Sequence, residues 1–522
     1  MLEEVVTTTV GWLWSTPMVV LILAVGLFFT LRFAFPQVRR VGDMLRQLAR
    51  GGDSERGVSS FEALAMALGG RIGVGNIAGV ATAIGFGGPG AMFWMWVTAI
   101  VGSAVAIVES SLAQVWKEEV AGEYRGGPAY YIEKGIKFRW IAMPLAIAYA
   151  VSTVFATTIT GPSIQAFNIA ESVNNAWGVD PRITGIVVAI LFCAVVLGGM
   201  KRIGKVCGVV VPFMATAYVL LGLVVVALNA PRVPEMFALI FRSAFGGEAL
   251  YGGMLGAIIM WGVKRAIYSS EAGTGSGAQA SAAAEVSHPV KQGLSQGFSV
   301  YVDTLLVCTI TGLMILSTNS YNVVREDTGQ TLVEHVPGLA AGPGYTQAAI
   351  ESVLPGFGAP FIAIAMFFFA FTTLLSFGFY ADTNIAYLMR RKRAGRTVTV
   401  IFQLVLAGSI LLGSFRSSEF AWALADIGIG LYTWVNLIAL VLLIGPAVAV
   451  FKDYERQRRS GLNPIFDPEE AGITNAPCGR ASPPATARPT TRAGRPRRAD
   501  RLLRTHAGPP EPSVYLGAPE SS

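Results

Sequence analysis

Charged residues, cysteine and histidine are all scarce in this sequence of 522 residues. Only 14% of the residues are charged, whereas a soluble domain is about 25% charged. The mean hydropathy is +0.53, and long apolar runs recur up to about residue 450. These features exclude a soluble protein and predict an all-α polytopic membrane protein.

Four cysteines and three histidines leave little material for metal or disulfide chemistry. They show no paired spacing, which excludes a disulfide framework and a Cys/His metal site. The sequence also lacks HExxH, GxSxG and any Cys–His pairing, so we expect no enzyme and no organic cofactor. The net charge of +7 arises in loops and in the tail. We therefore expect the lipid bilayer as surroundings and no nucleic acid as a partner.

About eleven transmembrane helices are predicted. Their placements are 15–35, 62–86, 91–114, 139–160, 182–199, 206–229, 248–275, 297–316, 356–380, 397–414 and 420–449. Lys and Arg are enriched in the loops after spans one, three, five and nine, and the intervening loops are poorer in them. By the positive-inside rule, this alternation predicts an N-terminus outside and a cytoplasmic C-terminus in the plasma membrane.

The span after the leading helix is too rich in glycine to be a continuous helix. Five glycines fall within two to three turns: Gly69, Gly70, Gly73, Gly75 and Gly79. Each costs roughly 1 kcal/mol relative to alanine, and backbone freed from a helix in lipid must line a cavity or water. Such a broken span indicates the substrate site of a secondary transporter. The alternative is that these glycines only permit tight helix contact.

A second broken span begins near Gly252 and carries Lys264, Arg265 and Glu271. Each broken span opens a block of about five spans, and the two blocks enter the membrane from opposite sides. The pattern therefore predicts a five-plus-five inverted repeat with discontinuous helices and one extra N-terminal helix.

We divide the chain into four parts on this pattern. They are a leading helix with a cytoplasmic loop (1–50), the first five-helix repeat (51–230), the second, inverted repeat (231–450), and a disordered Pro/Arg-rich cytoplasmic tail (451–522). The tail is too poor in apolar residues to bury a core. Its basic residues serve either as a topological anchor or as a weak attraction to anionic lipid.

Four stretches resemble the alanine or glycine:cation symporter family. They are GRIGVGNIAGVATAIGFGGPGAMFWMW (70–96), GGPAYYIEKG (126–135), SSEAGTGSGAQASAAA (269–284) and HPVKQG (288–293). The resemblance covers about residues 15–450 and implies the amino-acid–polyamine–organocation superfamily fold. It also implies uptake of alanine or glycine, coupled usually to Na⁺ and sometimes to H⁺. A passive channel is the remaining alternative, but no ring-forming filter motif supports it.

A zwitterionic amino acid brings a carboxylate and an ammonium group into a dry site, and both need partners. The freed N–H groups of Gly75, Asn76 and Ile77 suit the carboxylate, because they lie at a helix N-terminus. The freed carbonyls of Ile72 and Gly73 suit a cation.

Three further residues are candidate substrate contacts. Gln165, at the extracellular end of span four, is similar to a family glutamine that meets the substrate, although the family's Gln-x-Asn becomes Gln165-Ala-Phe-Asn168 here. Phe377 stands where the family usually has Trp, and Tyr268 where it has Phe. Both are expected as pocket walls, and the alternatives are an interhelical hydrogen bond for Gln165 and ordinary packing for the aromatic residues.

Hydroxyl groups in span nine are candidate cation ligands. Thr372, Thr373 and Ser376 lie on neighbouring helical positions and can complete a Na⁺ shell with backbone carbonyls, because hard cations take oxygen ligands. Thr373 is also a candidate substrate contact. Alternatively, these hydroxyls bond their own helix backbone.

The remaining intramembrane charges are expected to be gating or structural. We expect Glu271 to pair with Lys264 and Arg265, as a gate or a structural ion pair near the cytoplasmic mouth. Three further acids are expected to be structural or interfacial: Glu109, Asp382 and Asp426.

Overall fold

The computed structural model describes residues 2–48, 57–120, 122–247, 252–390 and 395–476, which are almost entirely helical. The helices before residue 230 are α1 (Leu2–Leu13), α2 (Thr16–Arg32), α3 (Pro36–Arg39), α4 (Val41–Leu48), α5 (Ser60–Arg71), α6 (Val80–Gly87), α7 (Ala91–Val115), α8 (Pro128–Gly135), α9 (Arg139–Phe155), α10 (Gly161–Trp177), α11 (Pro181–Val196) and α12 (Met200–Leu228). The later helices are α13 (Val233–Ala244), α14 (Leu255–Ser270), α15 (Ser276–Ala283), α16 (Pro289–Val300), α17 (Thr309–Ser317), α18 (Pro343–Glu351), α19 (Gly358–Met389), α20 (Gly395–Gly413), α21 (Ser418–Leu442) and α22 (Ile444–Arg459).

Short irregular elements connect these helices. Three π-helical turns, Gly75–Gly79, Ala156–Thr160 and Tyr301–Cys308, lie within the spans. Two 3₁₀ turns cover Ala230–Arg232 and Gly252–Met254. Two antiparallel hairpins join β1 (Glu118–Val120) to β2 (Glu123–Arg125) and β3 (Asn322–Val324) to β4 (Thr331–Glu334).

The predicted all-α polytopic fold is confirmed. Seven helical stretches of the described chain are long and apolar enough to cross a membrane, and the pair α5 and α6, bent by 49°, makes an eighth. Two shorter apolar helices, Pro181–Val196 and Thr397–Gly413, account for predicted spans five and ten. The broken pair α14 and α15 accounts for predicted span seven. Helices α11 and α12 expose large apolar side chains such as Ile190, Val209 and Phe213, as a lipid-facing surface requires.

Equivalent helices of the two blocks pack against each other. Helix α7 contacts α16, α10 contacts α19, and α11 contacts α20. In the broken spans, α6 packs on α14 and α5 packs on α15. The second half of one broken span thus meets the first half of the other, which is what opposite topologies produce.

The described part of the C-terminal tail contradicts the prediction of disorder from residue 451. Helix α22 continues to Arg459, and the segment that follows it, residues 460–476, is packed on the protein through buried Phe466 and Ile473. We call residues 460–476 the C-terminal clasp. The prediction failed because a few apolar residues in a polar segment suffice to anchor it. Residues 477–522, which belong to the same prediction, lie outside the described residues.

Candidate functional site

The first break lies at residues 72–74, between α5 and the π-helical turn Gly75–Gly79. Helix α5 begins with a capping box, in which Ser59 and Glu62 exchange side-chain and backbone hydrogen bonds, a strong start signal. It ends at Arg71, because Ile72 adopts φ −72° and ψ 88°. The predicted interruption of this span is therefore present.

Side chains already satisfy some of the backbone groups that the break frees. The Gly73 N–H donates to Asn76 Oδ1 at 2.9 Å, and the Val74 N–H points to Gln165 Oε1 at 3.4 Å. The Gly73 carbonyl accepts from the Asn76 N–H at 3.2 Å. Gln165 lies well inside α10 and not at the end of a span as predicted, because the π-helical turn Ala156–Thr160 lets α9 and α10 continue to Trp177.

Two glycines bring the break into close contact with its neighbours. A Cβ at Gly73 would lie 2.4 Å from Thr373 Oγ1 and 3.4 Å from Gln165 Oε1. A Cβ at Gly75 would lie 3.0 Å from the Ser269 Cα, at the end of α14. The two broken spans therefore touch at Gly75 and Ser269, directly beside the interruption, and α19 closes on Gly73.

The second break spans residues 271–275. Glu271 has a φ of +51°, and Gly273 and Gly275 have φ of +88° and +83°. A left-handed conformation at a non-glycine residue is strained and is typical of functional sites. The chain thus leaves α14 sharply and re-enters a helix at Ser276.

Only part of the predicted hydroxyl set reaches the first break. Thr373 Oγ1 donates to the Gly69 carbonyl at 2.9 Å, and Ser376 Oγ donates to the Met66 carbonyl at 2.8 Å. All three hydroxyls also donate to the backbone of their own helix, but the other contact of Thr372 is with Met214 on α12. The structure therefore brings Thr373 and Ser376 to α5 and leaves Thr372 outside this cluster.

A buried carboxylate that sequence reasoning missed lies next to the break. Asp303, in the π-helical turn Tyr301–Cys308, is fully buried. It accepts from Asn76 Nδ2 at 2.8 Å, from Ser269 Oγ at 2.9 Å and from Thr304 Oγ1 at 2.6 Å. A lone acid inside an apolar span was the available signal, since intramembrane acids are functional candidates.

The two predicted aromatic walls occupy different surroundings. The Phe377 ring packs on Gly161, where an added Cβ would lie 2.6 Å from it. Tyr268 packs on Trp422, with ring centroids 5.1 Å apart. Its buried hydroxyl has no hydrogen-bond partner among the described residues. Both residues are buried, so neither is a lipid-facing aromatic.

The predicted pairing of Glu271 with Lys264 and Arg265 is wrong. Both cations pair with Asp426, at 2.6 Å from Lys264 Nζ and 3.2 Å from the Arg265 guanidinium. Asp426 is buried and so is not interfacial. Separation along the helix explains this outcome, because residues 264 and 271 are about 10 Å apart along the helix axis and Glu271 lies just beyond the end of α14.

The other three acids have distinct environments. Glu271 accepts from Ser276 Oγ at 2.7 Å. Glu109 is fully buried, so it is not interfacial. Asp382 is partly exposed and pairs with Arg125 at 2.6 Å, as an interfacial acid would.

The oxygen atoms beside the break fit an alkali cation. Thr373 Oγ1, Ser376 Oγ and the carbonyls of Met66 and Gly69 lie together, and the Asp303 carboxylate lies on the opposite side of the break, held by Asn76. Hard cations prefer such oxygen donors. The described residues contain no group of three His, Cys, Asp or Glu side chains that could hold a metal ion.

Several known proteins with similar sequences are named as alanine carriers or symporters. The family model described as "Sodium:alanine symporter family" matches residues 1–468. A putative sodium/proton-dependent alanine carrier protein, YrbD of Bacillus subtilis, is 50% identical over 89% of this chain and 95% of its own. The sodium/proton-dependent alanine carrier of Bacillus sp. PS3 is 47% identical, over 83% and 96%. The sodium/alanine symporter AgcS of Methanococcus maripaludis is 39% identical, over 88% and 98%.

Proposed function

The chain belongs to the sodium:alanine symporter family, and from this premise we propose that it imports a small neutral amino acid, alanine or glycine, together with Na⁺ by alternating access. The observation that carries the proposal is the contact between the two interrupted spans at Gly75 and Ser269. Freed backbone groups and buried oxygen atoms lie beside that contact, as expected for the midplane site of an inverted-repeat transporter.

The substrate site is proposed at the first break. The carboxylate binds N–H groups at the start of the second half-span, where the helix dipole is positive. The Gln165 amide oxygen, close to Val74, is available to the ammonium group. The proposed substrate contacts are Gly73, Gly75, Asn76, Ile77, Gln165, Tyr268, Thr373 and Phe377.

Aromatic size sets the proposed substrate class. Phe377 and Tyr268 are proposed as walls that limit the pocket to a small side chain, and the relatives are named for alanine. Alanine is therefore our first choice and glycine our second.

The coupling ion is proposed to be Na⁺. Its proposed ligands are oxygen atoms of Ile72, Gly73, Thr373 and Ser376, and the buried Asp303 side chain is linked to the same break through Asn76. Thr372 was a predicted ligand, but its contact with Met214 supports a packing role. Each Na⁺ carried inward across 100 mV supplies about 2.3 kcal/mol.

Coupling follows if ion and substrate share one broken backbone. Thr373 bonds α5 just before the break, and Gln165 bonds Val74 within it. An ion that orders this segment therefore prepares it for the substrate, and by linkage the substrate strengthens binding of the ion. The proposed orientation places the N-terminus outside and the C-terminus in the cytoplasm.

Transport by the purified protein in proteoliposomes tests the proposal. Alanine should accumulate against its gradient when Na⁺ is higher outside, with a negative potential inside. Replacing Na⁺ by choline at fixed pH should abolish this accumulation. Equal accumulation in choline would refute Na⁺ coupling, and collapse of that uptake on adding a protonophore would favour H⁺, the second candidate ion in view of the relatives named sodium/proton-dependent. Equilibration without accumulation under any gradient would indicate a channel.

A further inference from the structure

Arg71 is the last residue of α5, and only part of its guanidinium group makes hydrogen bonds. The side chain is almost completely buried. Its Nη1 donates to the Gln296 carbonyl and side-chain oxygen, both at 3.1 Å, and to Ser299. Its Nε and Nη2 have no partner among the described residues. The Nη2 instead faces Gly277, where an added Cβ would lie 2.5 Å from it.

Glu109, on α7, has an unused acceptor next to the same segment. Its Oε2 accepts from the Gly275 N–H at 3.1 Å and from Asn436 Nδ2 at 3.0 Å. Its Oε1 is buried and without a partner in the described part of the chain. Gly275 and Gly277 are two residues apart at the start of α15, so the free donors and the free acceptor flank one turn of the chain.

Such a pair of unsatisfied charges is costly in a dry interior. A buried charged group left without a partner loses several kcal/mol of solvation, so native proteins retain one only for a reason. The unused groups are two N–H donors in a planar fork and one carboxylate oxygen. A fork of this kind suits a carboxylate, and a carboxylate oxygen suits an ammonium group. An α-amino acid carries both, close together.

The position of these groups relative to the break indicates which side of the membrane they serve. Arg71 directly precedes Ile72, on the α5 side of the interruption, which is the cytoplasmic side in the proposed orientation. Gly277 allows the guanidinium to lie directly against the start of α15, because an added Cβ would lie 2.5 Å from Nη2. In the proposed orientation, these groups lie on the cytoplasmic side of the substrate site.

We propose that Arg71 and Glu109 form an exit subsite for the zwitterionic head of the amino acid, in which Arg71 Nε and Nη2 bind the carboxylate and Glu109 Oε1 binds the ammonium group. This inference rests on the proposed function and assigns a second site to the same substrate. The competing role is an internal ion pair of Arg71 with Glu109 or Glu271 in another conformation. No ion pair of Arg71 occurs among the described residues, and the experiment separates the two roles.

Face-specific exchange tests the subsite. Exchange of labelled alanine is measured at saturating Na⁺ with the external alanine concentration varied and the internal unlabelled alanine fixed at saturation, in right-side-out and inside-out membrane vesicles, for the wild type and for Arg71→Gln, Arg71→Lys and Glu109→Gln. We expect Arg71→Gln to raise the KM at the cytoplasmic face about 10-fold or more, as loss of a charge-assisted hydrogen bond does. The extracellular KM should change less than about 2-fold. Arg71→Lys should recover part of the loss, and Glu109→Gln should act on the same face.

The unaltered extracellular face of each variant is the control for folding. Equal changes of KM at both faces, or a fall in maximal rate alone, would overturn the subsite and favour the internal ion pair. If Arg71→Gln does not fold, Arg71→Lys alone decides, because it must still weaken the cytoplasmic face selectively. A wild type that exchanges no alanine would refute the proposed function itself, and is distinct from an active wild type with symmetric variants.

Discussion

Gly73 is the residue on which the close contact between the first break and α19 depends. Its backbone donates to Asn76, and its missing side chain leaves the space that the Thr373 hydroxyl occupies. The interiors of proteins tolerate extra atoms poorly. The site is therefore sensitive to a single methyl group at this position.

Replacing Gly73 by alanine should nearly abolish transport. The new Cβ would lie 2.4 Å from Thr373 Oγ1, a distance that requires the break or α19 to move. Uptake of labelled alanine by cells measures the effect, with surface expression checked by labelling. Gly79→Ala is the matched control, because the nearest atom to its Cβ would be 3.8 Å away. Similar activity of the two variants would contradict the tight contact.

Neighbouring threonines on α19 offer a second test at this scale. Thr373→Ala removes the hydroxyl bonded to Gly69, and we expect the Na⁺ concentration for half-maximal uptake to rise roughly 10-fold, the effect of about 1.4 kcal/mol. Thr372→Ala should change it less than about 2-fold, because that hydroxyl faces Met214. Uptake at varied Na⁺ and constant ionic strength measures both variants. An equal effect of the two substitutions would remove Thr373 from the ligand set.

At the scale of elements, the C-terminal clasp ties α22 to the start of α16. His288, just outside the membrane-spanning part of α16, is buried between the rings of Tyr454 and Phe466. Its Nε2 lies 3.2 Å from Asp453 Oδ2, and its Nδ1 accepts from the Val290 N–H. These two contacts require a neutral ring that carries its proton on Nε2.

The clasp should weaken in mild acid. Burial lowers the pKa of His288 below its usual value, despite Asp453, which raises it, and Lys291 lowers it further. The unfolded chain therefore takes up this proton first, near pH 6.5. Stability is complete above that pH and falls as the pH drops towards the lower pKa of the folded state. The neighbouring Asp453 has a lowered pKa, so its contribution is lost only in stronger acid.

Melting temperatures in detergent between about pH 5 and 8 measure this effect. The wild type should lose a few degrees below about pH 6.5. His288→Asn keeps an acceptor for the Val290 N–H but cannot titrate, so its profile should be flatter over the same range. A wild-type profile that matches the variant would show that His288 does not control the clasp.

The broken spans could be predicted from the sequence, because each glycine inside a helix makes that helix less stable. The partners of individual side chains were harder to predict. Thr372 and Thr373 are equivalent as sequence, and only the rotation of α19 against α5 separates them. Gln165 was placed at a helix end because the π-helical turn Ala156–Thr160, which extends that span, has no signature in the sequence. Asp303 gains meaning only from Asn76 and Ser269, which are distant along the chain.

At the scale of the whole molecule, the proposed orientation can be tested at two exposed positions. Thr328 lies in the hairpin between β3 and β4, and Ser460 follows α22. With native cysteines replaced by serine, Thr328→Cys should react with an impermeant maleimide in intact cells. Ser460→Cys should react only after permeabilisation. The reverse pattern would show the opposite orientation. Reaction of both cysteines in intact cells would contradict the odd number of spans predicted between the two positions.

Trp14 connects the leading helix to the buried charges near α14. Its indole N–H donates to the backbone carbonyl of Asp426 at 2.9 Å, and the Trp434 indole N–H donates to the backbone carbonyl of Leu13 at 3.0 Å. Asp426 is the shared counter-ion of Lys264 and Arg265. Removing the N-terminal span would thus uncover the carboxylate that pairs with two positive charges on α14. The N-terminal span therefore covers the buried cluster of Lys264, Arg265 and Asp426. A carrier of ten spans, without this helix, would have to neutralise these charges in another way.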